Sequence, residues 1–307
     1  YFSRGSDADI YRERKALGAN IVSKLIEMIG GRFDDTVFSF IPNTAEVAFF
    51  GMTEELTRRL DADRVAELTE LSAAGKLDRE KITEILRRKV RTEKIAIKDI
   101  KLRTFIAEGS SRNDLATHVY DVTYGCIRTG RDTLAIIDDS IVRGTTLRQS
   151  ILRILDRLLP ERIIVISSSP QVRFPDYYGI DMPNLDELTA FRAAIQLLLD
   201  GGRSDIIDNT YAECRRNLTL PDAEQTNAVT AIYAPFTYDE VSRKIADMLT
   251  PPDIRAQVDI LYQTLEGLHD AVPNHPGDWY FSGNYPTPGG NRMVNNAFVD
   301  YYERTFI

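Results

Sequence analysis

LAIIDDSIVRGTT, residues 134–146, runs four apolar residues into two adjacent aspartates and closes on Gly-Thr-Thr. The apolar run TLAII (133–137) reads as a strand buried on both faces. Downstream, TTLRQSILRILDRLL (145–159) places apolar residues at 147, 151, 154, 155 and 158, one stripe of a helix. RIIVISSS (162–169) then supplies a second buried strand. Strand, helix and strand at this spacing predict a βαβ unit, and with it a mostly parallel α/β sheet flanked by helices.

The polar half of the stretch carries the chemistry. Ligands of open α/β sheets sit outside the carboxyl ends of the strands, where Asp138 and Asp139 fall. A helix starting near Thr145 points unpaired N–H groups and the positive end of its dipole at the same place, which favours an anion. Gly144 lets the backbone approach that anion, and the Thr145 and Thr146 hydroxyls add donors. Ionised carboxylates only accept hydrogen bonds, so a pair of them suits a vicinal diol or a divalent cation. A sugar phosphate offers a diol and a phosphate together. An Asp-Asp pair alone is most simply a solvated strand end; the whole pattern is what points to a ligand. No GxGxxG follows a strand and no GxxxxGK[ST] loop occurs, so dinucleotide and P-loop readings lack support.

Composition sets outer bounds. The 307 residues are 43% hydrophobic and 27% charged, with a formal net charge of −8. That length buries a large core as one big domain or two ordinary ones. The acidic balance argues against a nucleic-acid-binding face. No apolar run approaches a membrane span, and the first residues carry no secretory pattern. Cys126 and Cys214 are too few for a disulfide framework, and His118, His269 and His275 are scattered singly. A reduced, cytoplasmic setting is expected.

Outward from the loop, residues 8–30 predict a helix ending at Gly30-Gly31, and VFSFI (37–41) a buried strand followed by a turn and a helix. Residues 53–92 are charged and helical, with Asp78 as an N-cap. KIAIKDI (94–100) alternates like a strand. Residues 107–130 form a long, weakly patterned stretch, expected to be a functional or mobile loop. Helices are expected at 185–201, 237–249 and 253–269, a strand at 228–234, and a packed irregular segment over GDWYFSGNYPTPGGNR (277–292).

With these residues in view, LAIIDDSIVRGTT resembles the ribose-phosphate loop of type I phosphoribosyltransferases, in the form DDSIVRGTT found in the amidophosphoribosyltransferase family. Five further stretches follow in that family's order. YFSRGSDADIYRERKALG is similar to the segment joining its glutaminase and transferase domains, and FIPNTAEVAFFGM resembles its pyrophosphate loop. RTFI (103–106) matches the start of its flexible loop. SSSPQVRFPDYYGIDMPNLDELTA is similar to the family's SxPxxRFPxxYGIDMPxxxELIA, and FSGNYPT recurs near the C-terminus.

The resemblance implies a type I phosphoribosyltransferase fold with a largely helical C-terminal region. Residues 1–30 would be a linker from a missing glutaminase domain. Residues 31–182 would be the core with a helical insertion at 53–92, and residues 183–307 the C-terminal region packed on it. The implied reaction is displacement of pyrophosphate from phosphoribosyl pyrophosphate by ammonia, giving 5-phosphoribosylamine, the first committed step of de novo purine biosynthesis. Asp138 and Asp139 would hold the ribose hydroxyls, directly or through Mg²⁺, with Thr44 as a hydroxyl contact to the metal. Asn43 and Thr44 would serve the pyrophosphate, and Ser140, Arg143, Gly144, Thr145 and Thr146 the 5′-phosphate. Simple helix capping is the other reading of Asn43 and Thr44.

Implied partners are a glutaminase domain supplying ammonia, purine nucleotide feedback inhibitors and further copies of the chain. A C-terminal piece without its glutaminase domain is expected to use free ammonia but not glutamine. The chain departs from the family in its flexible loop. The family's R-x-x-x-V-x-x-K-L becomes SSRNDLATHVYDVTYG, leaving Arg103, Arg112 and Lys98 to face the substrate's negative charges. Asp176, Gly277 and Tyr280 stand where some members carry iron–sulfur cysteines, so no cluster is expected. The altered loop keeps a rival open, a non-catalytic sensor of phosphoribosyl pyrophosphate or purine nucleotides. A salvage transferase for a purine base is disfavoured by RFPDYYGIDMP.

Overall fold

A computed structural model describes residues 5–98, 120–179, 182–275 and 277–307. Arg103, Arg112, RTFI and residues 107–119 of the long stretch lie outside the described residues.

Strands β1 (Thr36–Phe40), β2 (Arg91–Thr92), β5 (Thr133–Asp138), β6 (Arg162–Ser167) and β7 (Gln257–Tyr262) form one sheet in the order β2-β1-β5-β6-β7. Every pairing in it is parallel. β3 (Ala96–Lys98) and β4 (Tyr120–Val122) form a separate antiparallel pair. The TLAII run is therefore the central strand, and its unbroken apolarity has a plain cause. Leu134 and Ile136 point into one core, Ala135 and Ile137 into a second on the opposite face. Each such buried Ile or Leu contributes roughly 1.5–3 kcal/mol.

On one face α2 (Val22–Ile29) and α3 (Glu46–Ala73) supply core residues, with Leu25, Ile29, Met52 and Leu56 fully buried, and α1 (Ala8–Asn20) packs against α3. The expected single helix over 8–30 is two, α1 being capped by Asp7 and followed after Ile21 by α2. α3 carries buried residues only as far as Leu60. Beyond that it runs out into the charged insertion and returns through α4 (Arg79–Arg87), whose N-cap Asp78 accepts from Lys81 N at 2.8 Å.

The opposite face is covered from within and after the βαβ unit. The crossover opens with a π-wound turn, Leu147–Ile151, and continues as α5 (Leu152–Asp156). Then follow α6 (Thr189–Asp200), α7 (Ser204–Asn217), α8 (Tyr238–Leu249), α9 (Leu265–Ala271), α10 (Trp279–Ser282) and α11 (Pro288–Phe306).

Three further expectations are corrected. Residues 253–269 are not one helix: Gln257–Tyr262 pair with Arg162–Ser167 as β7, and only Leu265–Ala271 is helical. The edge of β6 offers a row of backbone partners, and the alternation Val258, Ile260, Tyr262 fits it better than a helical stripe does. Residues 228–234 are not a strand but a 3₁₀ segment, Ala228–Ile232, whose cap Asn227 accepts from Val229 N. A short polar cap there fixes a turn that apolar content alone does not reveal. The expected irregular C-terminal segment also gives way to α11 from Pro288, a residue well suited to a first helical turn.

Candidate functional site

β1 and β5 end side by side, and Ile41 N donates to Ile137 O at 2.9 Å. The loop after each strand therefore opens at the same carboxyl edge of the sheet. Pro42, Thr44, Asp138, Asp139, Ser140, Arg143, Gly144, Thr145 and Thr146 line one cavity of about 380 Å³ there. Asn43 is exposed and does not line it, although its neighbours do. The Pro42–Asn43 peptide is cis. α3 starts after Ala45 with no side-chain cap, so the Thr44 hydroxyl is not spent on capping.

The aspartates are fixed by backbone donors. Asp139 N donates to Asp138 Oδ1 at 2.8 Å, Ser140 N to Asp139 Oδ1 at 2.7 Å, and Ser168 N to Asp138 O at 3.0 Å. Burial, reinforced by the charge of Asp139, pushes the Asp138 carboxyl well above the usual carboxylate range. Two adjacent carboxylates in a recess form a place where a cation or hydroxyl donors would be stabilised. Among the described residues no group of three or more His, Cys, Asp or Glu side chains could hold a metal. A hard cation on Asp138, Asp139 and the Thr44 hydroxyl would complete its oxygen shell with water or ligand oxygens, which is usual for Mg²⁺.

The anion half of the cradle begins at Gly144, whose carbonyl accepts from Arg148 N at 3.0 Å as the helical turn starts. Gly144 has φ +68°, and a Cβ there would lie 2.6 Å and 2.7 Å from the two Leu249 methyl carbons. The loop thus needs glycine both for its left-handed backbone and for its contact with α8. The C-terminal region also clamps the loop from outside. Thr189 donates through N and Oγ1 to Val142 O, each at 2.9 Å, and Arg143 Nε donates to Glu187 Oε2 at 2.6 Å. Asn184 donates to the same carboxylate, and Arg192 to Arg143 O. The MPNLDELTA stretch therefore braces the loop at Val142 and Arg143.

A second cavity of about 560 Å³ shares Thr44, Asp139, Ser140 and Val142 with the first. It adds Arg14, Ser168 and Ser169 among walls that include Val172, Met182, Tyr280 and Phe281. Two distant motifs meet beside it. Arg173 N and Phe174 N both donate to Tyr280 O, and the Tyr285 hydroxyl donates to Pro175 O at 2.7 Å. Trp279 Nε1 donates to Asp176 at 2.7 Å.

All the expected loop residues from Asp138 to Thr146 converge with Thr44, while Arg103 and Arg112 lie outside the described residues. Sequence reasoning missed Ser168, Ser169, Tyr280 and Arg14. The serines follow β6 at its carboxyl end, so the strand-end rule that singled out the aspartates could have found them. Nothing local marks Arg14, which reaches the site only through helix packing.

No family model matches the chain. It is similar to amidophosphoribosyltransferases. The protein of that name from Escherichia coli (strain K12) is 31% identical over 132 residues, covering 39% of this chain and 25% of that protein. The one from Haemophilus influenzae is 46% identical over 56 residues, covering 18% and 11%. The aligned part is thus a quarter or less of these relatives. A solved structure of glutamine phosphoribosylpyrophosphate amidotransferase from B. subtilis, complexed with ADP and GMP, superposes with a TM-score of 0.50 at 20% identity. It covers 94% of this chain and 45% of that one. At this identity the likeness is one of fold: the sheet flanked by helices of type I phosphoribosyltransferases.

Proposed function

We propose that this chain is the transferase part of an amidophosphoribosyltransferase, replacing the pyrophosphate of phosphoribosyl pyrophosphate with ammonia to give 5-phosphoribosylamine. The observation that carries this is the single cavity joining Asp138 and Asp139 to the Gly144–Thr146 helix start and to Thr44. The carboxylates accept from the ribose hydroxyls, and the free N–H groups and hydroxyls of the loop take the 5′-phosphate. In the reaction the C1–O bond to pyrophosphate breaks, a C1–N bond forms and the nitrogen loses a proton. As the first bond opens, the ribose gains oxocarbenium character, which negative charge beneath the ring stabilises. Asp138, Asp139 and the Thr44 hydroxyl would hold Mg²⁺, which when bound would supply positive charge for the departing pyrophosphate. One preorganised donor of this kind is worth roughly 3 kcal/mol.

The similarity to enzymes of that name and the shared fold support the reading. Further copies of the chain, a glutaminase domain as ammonia source and a cytoplasmic setting belong to the same proposal. The test is pyrophosphate release from phosphoribosyl pyrophosphate with Mg²⁺ and ammonium at mildly alkaline pH. Turnover supports the enzyme. Tight binding without turnover overturns it in favour of a sensor.

A further inference from the structure

We infer that Arg14 on α1 is a ligand-binding residue, a guanidinium that takes the diphosphate group of the sugar substrate; the inference rests on the function proposed above. α1 lies against α3 with their backbones in contact. A Cβ at Gly18 would fall 1.8 Å from Ala48 O, and one at Gly51 1.9 Å from Lys15 O. Only glycine at both positions permits so close a crossing. It lays Lys15–Gly18 of α1 against Ala48–Met52 of α3, the helix that follows the loop carrying Thr44. Arg14 and Thr44 consequently line the same cavity, together with Asp139 and Ser140.

Charge marks Arg14 out from its neighbours. Arg12 pairs with Asp9, and Lys15 with Glu54, but among the described residues Arg14 has no ion pair or hydrogen-bond partner. Its side chain is nevertheless partly buried. In the two joined cavities the described cationic lining residues are Arg14 and Arg143, and Arg143 is tied to Glu187. Asp138 and Asp139 line the same space with negative charge. A ligand bearing several negative charges beside Thr44 needs a cation on that side of the ribose, and Arg14 is placed to supply it. A guanidinium suits the task because its fork of donors matches phosphate oxygens.

The reading separates the two phosphate-bearing ends of the substrate. The 5′-phosphate lies at Gly144–Thr146 and the diphosphate toward Thr44 and Arg14. The experiment is titration calorimetry on the full chain with Mg²⁺, comparing phosphoribosyl pyrophosphate with ribose 5-phosphate in wild type, Arg14→Gln and Arg14→Lys. Melting curves establish that each variant is folded. Arg14→Gln is expected to weaken phosphoribosyl pyrophosphate about tenfold to a hundredfold, the worth of a charge-assisted hydrogen bond. It should leave ribose 5-phosphate unchanged, and Arg14→Lys should restore part of the loss. Unchanged affinity for phosphoribosyl pyrophosphate in Arg14→Gln overturns the inference, as does equal weakening of both ligands. Wild type that binds neither ligand removes the proposed function itself, a result distinct from the other two.

Discussion

Replacing Gly144 with alanine strikes the proposed phosphate cradle without touching any charge. The residue sits at φ +68°, where an L side chain costs roughly 1–2 kcal/mol. The new Cβ would also meet Leu249 methyl carbons at 2.6 Å and 2.7 Å and the Thr189 methyl at 3.1 Å. Overpacking of this kind adds about 1–3 kcal/mol, less whatever the Leu249 side chain recovers by turning away. The sum, roughly 2–5 kcal/mol, should lower the melting midpoint by about 5 °C or more. Rotation of the loop to relieve that strain would turn its N–H groups off the phosphate, so ribose 5-phosphate should bind about tenfold or more weakly. Gly130→Ala is the control. It shares the left-handed backbone, φ +67°, but a Cβ there meets nothing within 4 Å. It should show only the backbone penalty and keep full binding. A Gly144→Ala variant that melts like Gly130→Ala and binds ribose 5-phosphate as wild type does would contradict this expectation.

Further outcomes follow from the packing around the sheet. Burial alone would raise the Asp132 carboxyl, but hydrogen bonds from Arg91, at 2.8 Å each, and from Arg128 outweigh it and hold the group down at about 2. Because the folded value lies below the ordinary one, near 4, the stabilisation is complete above pH ~4 and is lost as pH falls toward about 2. Up to roughly 2–3 kcal/mol should disappear across that window. Melting midpoints against pH should therefore fall less steeply there for Asp132→Asn, and an equally steep acid limb would remove Asp132 as its cause. Gly18→Ala should destabilise the fold by about 3 kcal/mol or more in urea unfolding, because the obstacle is the Ala48 backbone rather than a movable side chain. A wild-type midpoint would show that α1 and α3 part without penalty.

The centre of the fold was legible because its rules are local and mutually consistent. A strand buried on both faces must be apolar throughout, and Leu134 to Ile137 are. A left-handed turn packed tightly against a helix must place glycine where Gly144 stands. The C-terminal region was harder for an equally physical reason. Val258, Ile260 and Tyr262 fit a strand or a buried helix, and only the open edge of β6 selects the strand. Asn227 turns an apolar run into a 3₁₀ segment through one side-chain bond. The site divides the same way. Residues 138–146 are contiguous and carry their chemistry in order, whereas Arg14 is brought to Asp139 by two glycines more than thirty residues apart in the chain. Spacing within a motif does not encode such a crossing.

The measurement closest to the core of the matter is the affinity of phosphoribosyl pyrophosphate with Mg²⁺ for Asp138→Asn/Asp139→Asn, set beside ribose 5-phosphate on the same folded protein. Removing both carboxylate charges takes away the proposed seat of the ribose and the metal, so phosphoribosyl pyrophosphate should bind at least about a hundredfold more weakly than to wild type, with pyrophosphate release abolished. Wild-type affinity and turnover in the double variant would contradict the placement of the sugar over these two acids.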